Sequence, residues 1–370
     1  MLKSYEKTEK KVNTLEILNK SDEALCLEYE SFVKNHINGT FLQSLRWPAV
    51  KNQWGWDAVI SRDESGKIVG TCLVLVRKIP LLGSTFLYAA HGPICDWTDR
   101  KVMDDLFEGI KALAKKYRSY GFMWDPCCEE NDSQVIELIK DMGFTFEENA
   151  PEDVTIQSRH NYMIRNLEGK TEEEVMMNFK SDWRNRVRKS ARKGVTCKVC
   201  GKEALDDFYP MMVETGKRDG FAIRPKEYFA KMLDALGEEH CRLYMCYLNN
   251  EDTDGKDIPV SGAITTQYAG KTCYVYGASS NQYRNTYPNY LMQWTMIQWA
   301  LENNSSIYDF QGIPHFQDKD HPGYGMYKFK KGFGGEVVSY AGEFFYTFSA
   351  SQKKLVDMLE KCYKLLRKLI

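Results

Sequence analysis

Apolar and polar positions trace the same sequence of elements in two separate stretches of the chain. In the first, a polar turn at Asp63–Lys67 precedes an apolar run, Ile68–Val76, and a second run, Phe86–Ala90, followed by Gly92-Pro93. Val102, Leu106, Ile110, Leu113 and Tyr117 then recur at spacings of three and four, the period of a helix with one buried face. Thr98 or Asp99 can cap its start, and it stops near Tyr120-Gly121, before an apolar strand, Phe122–Asp125. In the second stretch, a polar turn at Asn249–Asp257 precedes runs Ile258–Thr266 and Thr272–Tyr276 and the segment Gly277–Ser280. A helix from about Pro288 to Leu301 follows, with Tyr290, Trp294, Ile297 and Leu301 on one face. Asn303–Ser306 ends it before strand Ile307–Phe310.

Two antiparallel strands, a helix and a further strand form the core order of an acyltransferase-type unit. The predicted fold is therefore α/β (α+β). It has two acyltransferase-like (GNAT-type) domains, each a mixed, mostly antiparallel sheet flanked by helices, with a cleft between them. The boundaries expected are 1–160 plus 343–370 for the first domain and 161–342 for the second.

Between the copies, residues 171–193 read as a basic helix. Lys180, Arg184, Arg188 and Arg192 repeat every four residues and would share a face, where like charges repel and a polyanion would relieve the cost. Solvation of that face is the bland alternative. Residues 351–370 form a basic amphipathic pattern: Leu355, Leu359, Leu366 and Leu369 alternate with lysines and Arg367. Packing on the first domain is its default expectation, and contact with an anionic membrane surface the other. The run Gly323–Phe344 is rich in lysine, aromatics and glycine, with no acid before Glu336. Such a run suits phosphates and stacking rings, or forms a strand pair with solvated lysines.

The net charge of −1 gives no global field toward nucleic acid, so any polyanion site must be local, and DNA is not an expected partner. The charged N-terminal stretch lacks an apolar signal core, and no window of roughly 18 residues is apolar enough to span a bilayer. The odd count of 11 cysteines fits reduced thiols and a cytoplasmic location. Cys197-Lys-Val-Cys200 has the spacing of half a zinc site, but no second pair follows and the alternation Val195, Cys197, Val199 reads as a strand. The six histidines have no metal-ligand spacing, and no Walker loop, nucleophile elbow or His-Glu-x-x-His is present. Neither copy carries the glycine-rich pyrophosphate turn that acyl-CoA enzymes of this shape use, which points away from a coenzyme A donor.

The ordered motifs resemble the Fem-type aminoacyltransferases of peptidoglycan bridge synthesis. They are Phe41–Trp47 with Lys51, Gly92-Pro93 with Asp96, Asp125-Pro126, Phe221–Pro225 with Tyr228-Phe229, Gly277–Ser280 with Asn289–Gln293, Tyr308–Gly312, and Tyr327–Gly335 with Gly342-Glu343. The resemblance implies transfer of an amino acid from aminoacyl-tRNA, as co-substrate and without a further cofactor, to an amine of a lipid-linked or UDP-linked muramyl-pentapeptide precursor. It implies that Lys51 and Arg224 hold the precursor diphosphate, with Tyr228 and Tyr276 in the same cleft. It places Phe329 and Lys330 at the tRNA acceptor end, Lys330 stabilising the oxyanion. Asp125 is a candidate base, with a turn cap as its bland alternative, and Asp309 a weaker cleft candidate. Some relatives carry a helical-hairpin arm where this chain has only Asn249–Asp257. The basic helix would meet tRNA phosphates, and the inner face of the membrane is a second expected contact. An acyl-CoA N-acyltransferase and a non-catalytic tRNA- or precursor-binding protein are the alternatives.

Overall fold

The computed structural model describes residues 15–80, 82–147, 155–249 and 251–369. The charged stretch 1–11 lies outside the described residues, as do the side chains of Lys364, Leu366, Arg367, Lys368 and Leu369.

Two sheets carry the molecule. The first is built from β1 (Leu15–Ile17), β2 (Gly55–Arg62), β3 (Ile68–Lys78), β4 (Thr85–Ala89), β5 (Ile94–Cys95), β6 (Ser119–Trp124) and β7 (Thr145–Phe146). The second contains β8 (His160–Arg165), β9 (Val195–Cys200), β10 (Cys241–Leu248), β11 (Ile258–Tyr268), β12 (Lys271–Ser279), β13 (Ile307–Gly312) and β14 (Glu336–Ser339). The chain then returns to the first sheet as β15 (Phe344–Thr347). The first sheet runs β1-β2-β3-β4-β6-β15-β7 with β5 beside β3, and the second runs β14-β8-β13-β12-β11-β10-β9.

The duplicated order is present in both sheets. β3 and β4 are antiparallel, as are β11 and β12. α3 (Arg100–Tyr117) then carries the chain across to β6, which runs parallel to β4, and α9 (Pro288–Glu302) carries it to β13, parallel to β12. These are the only parallel pairs among the described strands, so both sheets are mixed and mostly antiparallel. Asp99 caps α3 by accepting from the amides of Lys101 and Val102, and the helix stops at Arg118, whose φ of 53° is left-handed. Val102, Leu106, Ile110 and Leu113 are buried against the sheet, on the face their spacing predicts. α9 is apolar nearly all round, and Met292, Met296, Ile297 and Trp299 are all buried, as befits a helix enclosed on several sides.

The remaining helices are α1 (Glu23–Asn35), α2 (Trp47–Val50), α4 (Ser133–Asp141), α5 (Glu172–Asn178), α6 (Ser181–Arg192), α7 (Leu205–Asp219), α8 (Lys226–Leu236), α10 (Tyr324–Lys331) and α11 (Ala350–Leu369). One buried cluster joins Leu73, Leu75 and Tyr88 of the first sheet to Phe208 of α7 and to Leu243, Met245 and Ile264 of the second. Each such side chain contributes about 1.5–3 kcal/mol on burial, so the two sheets share an apolar floor. Polar ties add to it: Tyr268 Oη donates to Glu30 at 2.7 Å, Arg46 to the Leu236 carbonyl at 3.0 Å, and Lys271 to the Gly39 carbonyl at 2.9 Å.

Two expectations about local structure change. The basic segment 171–193 is two helices, not one. Phe179 and Lys180 are extended between α5 and α6, which lets Phe179 bury edge-on against Trp294 and Phe333. The lysine–aromatic run does not form a strand pair at its centre. It forms α10, with Lys328 and Lys331 exposed and Lys330 buried, and only Glu336–Ser339 beyond it is a strand. Gly332 ends that helix against the Trp183 ring, where a Cβ would lie 2.0 Å from a ring carbon. For α11, Val356 is buried and Lys353 lies over the Phe345 ring at 5.4 Å, so its first turns pack on the first sheet, while Leu355 and Leu359 are exposed.

Candidate functional site

A cavity of about 870 Å³ opens between the two sheets. Leu75 and Arg77 of β3, Tyr88 of β4 and the loop after α2 form one wall. Arg224, Tyr228 of α8, Lys271 and Tyr276 of β12 and Asp309 of β13 form the other. The size is that of a site for a large ligand, and both halves of the duplicated order contribute side chains to it.

At the mouth, Lys51 and Arg224 converge on one aromatic ring. Lys51 Nζ lies 5.0 Å from the centre of the Tyr228 ring and 5.3 Å from that of Trp47, and the Arg224 guanidinium lies 5.5 Å from that of Tyr228. Pro225 precedes α8, so Arg224 reaches Tyr228 from outside the helix rather than along a helical face. Among the described residues neither cation has a carboxylate within ion-pair distance. Burial, and after it the charge of Arg224, lowers the Lys51 ammonium to about 8. Two cations held together without an acid are a cost that a bound anion removes. A guanidinium fork and a point charge side by side match the oxygens of a diphosphate.

Deeper in, β13 leaves its regular register between Asp309 and Gly312, and Gln311 takes a left-handed φ of 61°. The bulge organises three groups. The Gln311 amide donates to Asp309 Oδ1 at 2.6 Å, and its side-chain Nε2 to Oδ2 at 2.8 Å. Asn161 Nδ2 of β8 donates to Oδ2 at 3.0 Å. The carbonyls of Gln311 and Gly312 accept from Lys330 Nζ at 3.1 and 2.6 Å. Burial raises the Asp309 carboxyl to about 6, against the donors that hold its charge. Burial lowers the Lys330 ammonium to about 7, against the attraction of Asp309.

The structure thus brings Lys51, Arg224, Tyr228 and Tyr276 to one cavity. It does not bring all of the sequence candidates there. Lys330 is 4% exposed and sits behind the wall, touching the cavity through the backbone of Gln311. Phe329 packs edge-on against Tyr290 and Phe333 in the core of the second sheet, and its carbonyl accepts from Trp183 Nε1. Asp125 is buried and does not line the cavity. Tyr88 Oη donates to it at 2.7 Å and the His91 amide at 2.6 Å, and burial raises its carboxyl to about 8. Its carboxylate does hold a turn, as in the bland alternative, although the turn belongs to His91 rather than Pro126.

Lys180, just before α6, and Arg188 and Arg192 on it are exposed, but Arg184 turns back to donate to the carbonyls of Met177 and Phe179, closing the break after α5. It is therefore part of the joint between two helices and not of a free basic face. Arg186, absent from the basic face the spacing defined, lies among Trp183, Tyr287 and Tyr290.

Sequence reasoning also passed over Gln43. Its side-chain amide donates to the carbonyls of Leu73 and Ala90 and accepts from the Leu73 amide, tying the Phe41–Trp47 segment to β3. Gly92 lies against it, where a Cβ would be 2.7 Å from Gln43 Nε2. The buried Gln inside an apolar motif was the available signal.

The FemAB family model matches residues 19–254 and 249–361. The two segments overlap at residues 249–254, within the Asn249–Asp257 turn. The chain is 28% identical to the lipid II:glycine glycyltransferase of Staphylococcus aureus (strain USA300), over 90% of this chain and 94% of that protein. The crystal structure of FemX superposes with a TM-score of 0.82 at 26% identity, covering 92% of this chain and 99% of FemX. A tandem GNAT protein from the clavulanic acid biosynthesis pathway shares the fold, with a TM-score of 0.55 at 11% identity over 90% of this chain and 98% of its own. No helix among the described residues is long and apolar enough to cross a membrane. On the family model, which spans nearly all of the described residues, the chain belongs to the FemAB family.

Proposed function

We propose that this protein transfers an amino acid from its ester on tRNA to the stem-peptide amine of a peptidoglycan precursor, lipid-linked or UDP-linked. Family membership and the likeness to a lipid II:glycine glycyltransferase support the reaction class. The observation that carries the reading is the Lys51–Arg224 pair: two cations with no acid among the described residues in ion-pair range, at the mouth of a cavity between two acyltransferase-like sheets. A precursor diphosphate bound there would direct its stem peptide into the cavity, toward Asp309 and the Lys330 backbone cradle.

The chemistry asks little of the protein. An aminoacyl ester is already activated, so alignment of amine and carbonyl and stabilisation of negative charge on oxygen carry the rate. Lys330, fixed by the carbonyls of Gln311 and Gly312, would supply positive potential at that point. Lys180, Arg188 and Arg192 are candidates for contact with tRNA phosphates.

Purified protein incubated with charged tRNA and muramyl-pentapeptide precursor should yield the precursor extended by one or more amino acids. Absence of product with glycyl-, alanyl- and seryl-tRNA, for both UDP-linked and lipid-linked precursor, would remove the proposal. Transfer from an acyl-CoA instead would establish the alternative donor.

A further inference from the structure

We propose that Asp309, held by the β13 bulge, is the residue that takes the proton from the attacking amine. The proposal rests on the aminoacyl-transfer reading above.

Among the described residues, three acids line the cavity: Glu129, Glu227 and Asp309. Glu129 is paired with Arg165 at 2.6 Å, and Glu227 is exposed on α8. Asp309 alone is buried, 6% exposed, and its three donors are neutral amides. No described cation approaches it within ion-pair distance. Neutral donors fix the carboxylate while leaving it able to gain a proton, where a paired cation would hold it ionised. Oδ2 accepts two of these bonds and Oδ1 only one, so Oδ1 retains an open acceptor site.

The backbone gives an independent reason. A non-glycine residue at φ 61° inside a strand is unfavourable and persists only where its surroundings enforce it. Here one strained residue, Gln311, supplies two of the donors to Asp309 and one of the carbonyls that hold Lys330. The bulge therefore sets a proton acceptor and a cation at a fixed relative position, in the sheet face that lines the cavity. Lys271, Lys330, Cys127, Cys273 and Tyr340 face Asp309 electrostatically, and burial holds the cysteines and the tyrosine neutral.

The step balances as follows. The acceptor ammonium gives one proton to the Asp309 carboxylate. The resulting amine attacks the ester carbonyl, forming the C–N bond. As the tetrahedral intermediate collapses, the C–O bond to the tRNA ribose breaks and a second amine proton passes to the departing ribose oxygen. The third remains on the amide nitrogen, and Asp309 returns its proton to solvent.

The test compares transfer rates of wild type, Asp309→Asn and Asn161→Ala from pH 5 to 8, with precursor binding and thermal melting measured on each. Asp309→Asn should lower kcat by about 100-fold, with precursor affinity within threefold and the acid limb of the profile gone. Asn161→Ala removes one donor to the carboxylate, so the limb should move to higher pH, whereas a merely structural residue would lower the rate equally at every pH. Should Asp309→Asn fail to fold, the Asn161→Ala profile decides. An Asp309→Asn rate within threefold of wild type, or an acid limb unmoved in Asn161→Ala, overturns the assignment alone. Wild type inert toward every aminoacyl-tRNA overturns the transfer reading, and this assignment with it.

Discussion

Strands β6 and β13 hold the same place in their two sheets, each parallel to the second strand of its hairpin and reached through a helix packed on the sheet. Each delivers a buried acid, Asp125 just after β6 and Asp309 in the middle of β13. The acids then part ways. Asp125 is turned into its own half, where Tyr88 and the His91 amide occupy it. Asp309 is swung into the shared cavity by a one-residue irregularity and a left-handed glutamine. A duplicated scaffold can therefore use one copy of a position to brace a turn and direct the other toward the cavity, and the choice lies in the local backbone rather than in residue type.

The largest effect should come from Lys330→Ala. Loss of the buried cation is expected to cut kcat by about 100- to 1000-fold, the scale for losing one oxyanion-stabilising group, with precursor binding largely spared in equilibrium titration. An unchanged rate would remove Lys330 from the chemistry. Arg224→Ala acts on the other end of the cavity. Loss of a charge-assisted contact worth about 1.5–3 kcal/mol should weaken precursor binding roughly 10- to 100-fold. Equal weakening of aminoacyl-tRNA would place Arg224 elsewhere in the cycle.

Lys51 gives a pH signature. Its ammonium is lowered to about 8 in the free protein, and a bound anion favours the charged form, so precursor affinity should fall as pH rises through 8. Isothermal titration from pH 7 to 9.5 checks this, and Lys51→Arg should flatten the dependence. Asp125→Asn is the direct contrast with Asp309→Asn. Asparagine still accepts from the His91 amide, so the rate should stay within about threefold, by the scale of a neutral hydrogen bond. The smallest change is expected on α6: Arg188→Glu and Arg192→Glu should each weaken aminoacyl-tRNA a few-fold and reduce the salt slope by about 1. The same change at Arg184 should appear mainly as lost stability, since it bonds the end of α5.

The duplicated unit was legible because period-2 and period-3.6 patterns survive whatever the tertiary context. Asp99, the face of α3 and the parallel return strands all follow from them. The cation pair was placed by the resemblance of its flanking motifs, and its chemistry by the residue types. What the sequence concealed depends on single backbone turns. Nothing in Ser305–Gly312 announces that Gln311 will be left-handed. Likewise nothing in 171–193 separates Arg184, which closes a helix joint, from Arg188, which faces solvent at the same spacing. The lysine–aromatic run offered two readings, and the helix arises because Phe329 and Phe333, four apart, pack into the core of the second sheet.

The most direct measurement follows product formation from charged tRNA and muramyl-pentapeptide precursor by mass spectrometry, with wild type, Asp125→Asn and Asp309→Asn run in parallel at pH 7. Extended precursor should accumulate with wild type and with Asp125→Asn, and at about one-hundredth of the rate with Asp309→Asn. No product from wild type, or a loss that falls on Asp125→Asn instead, would contradict the account.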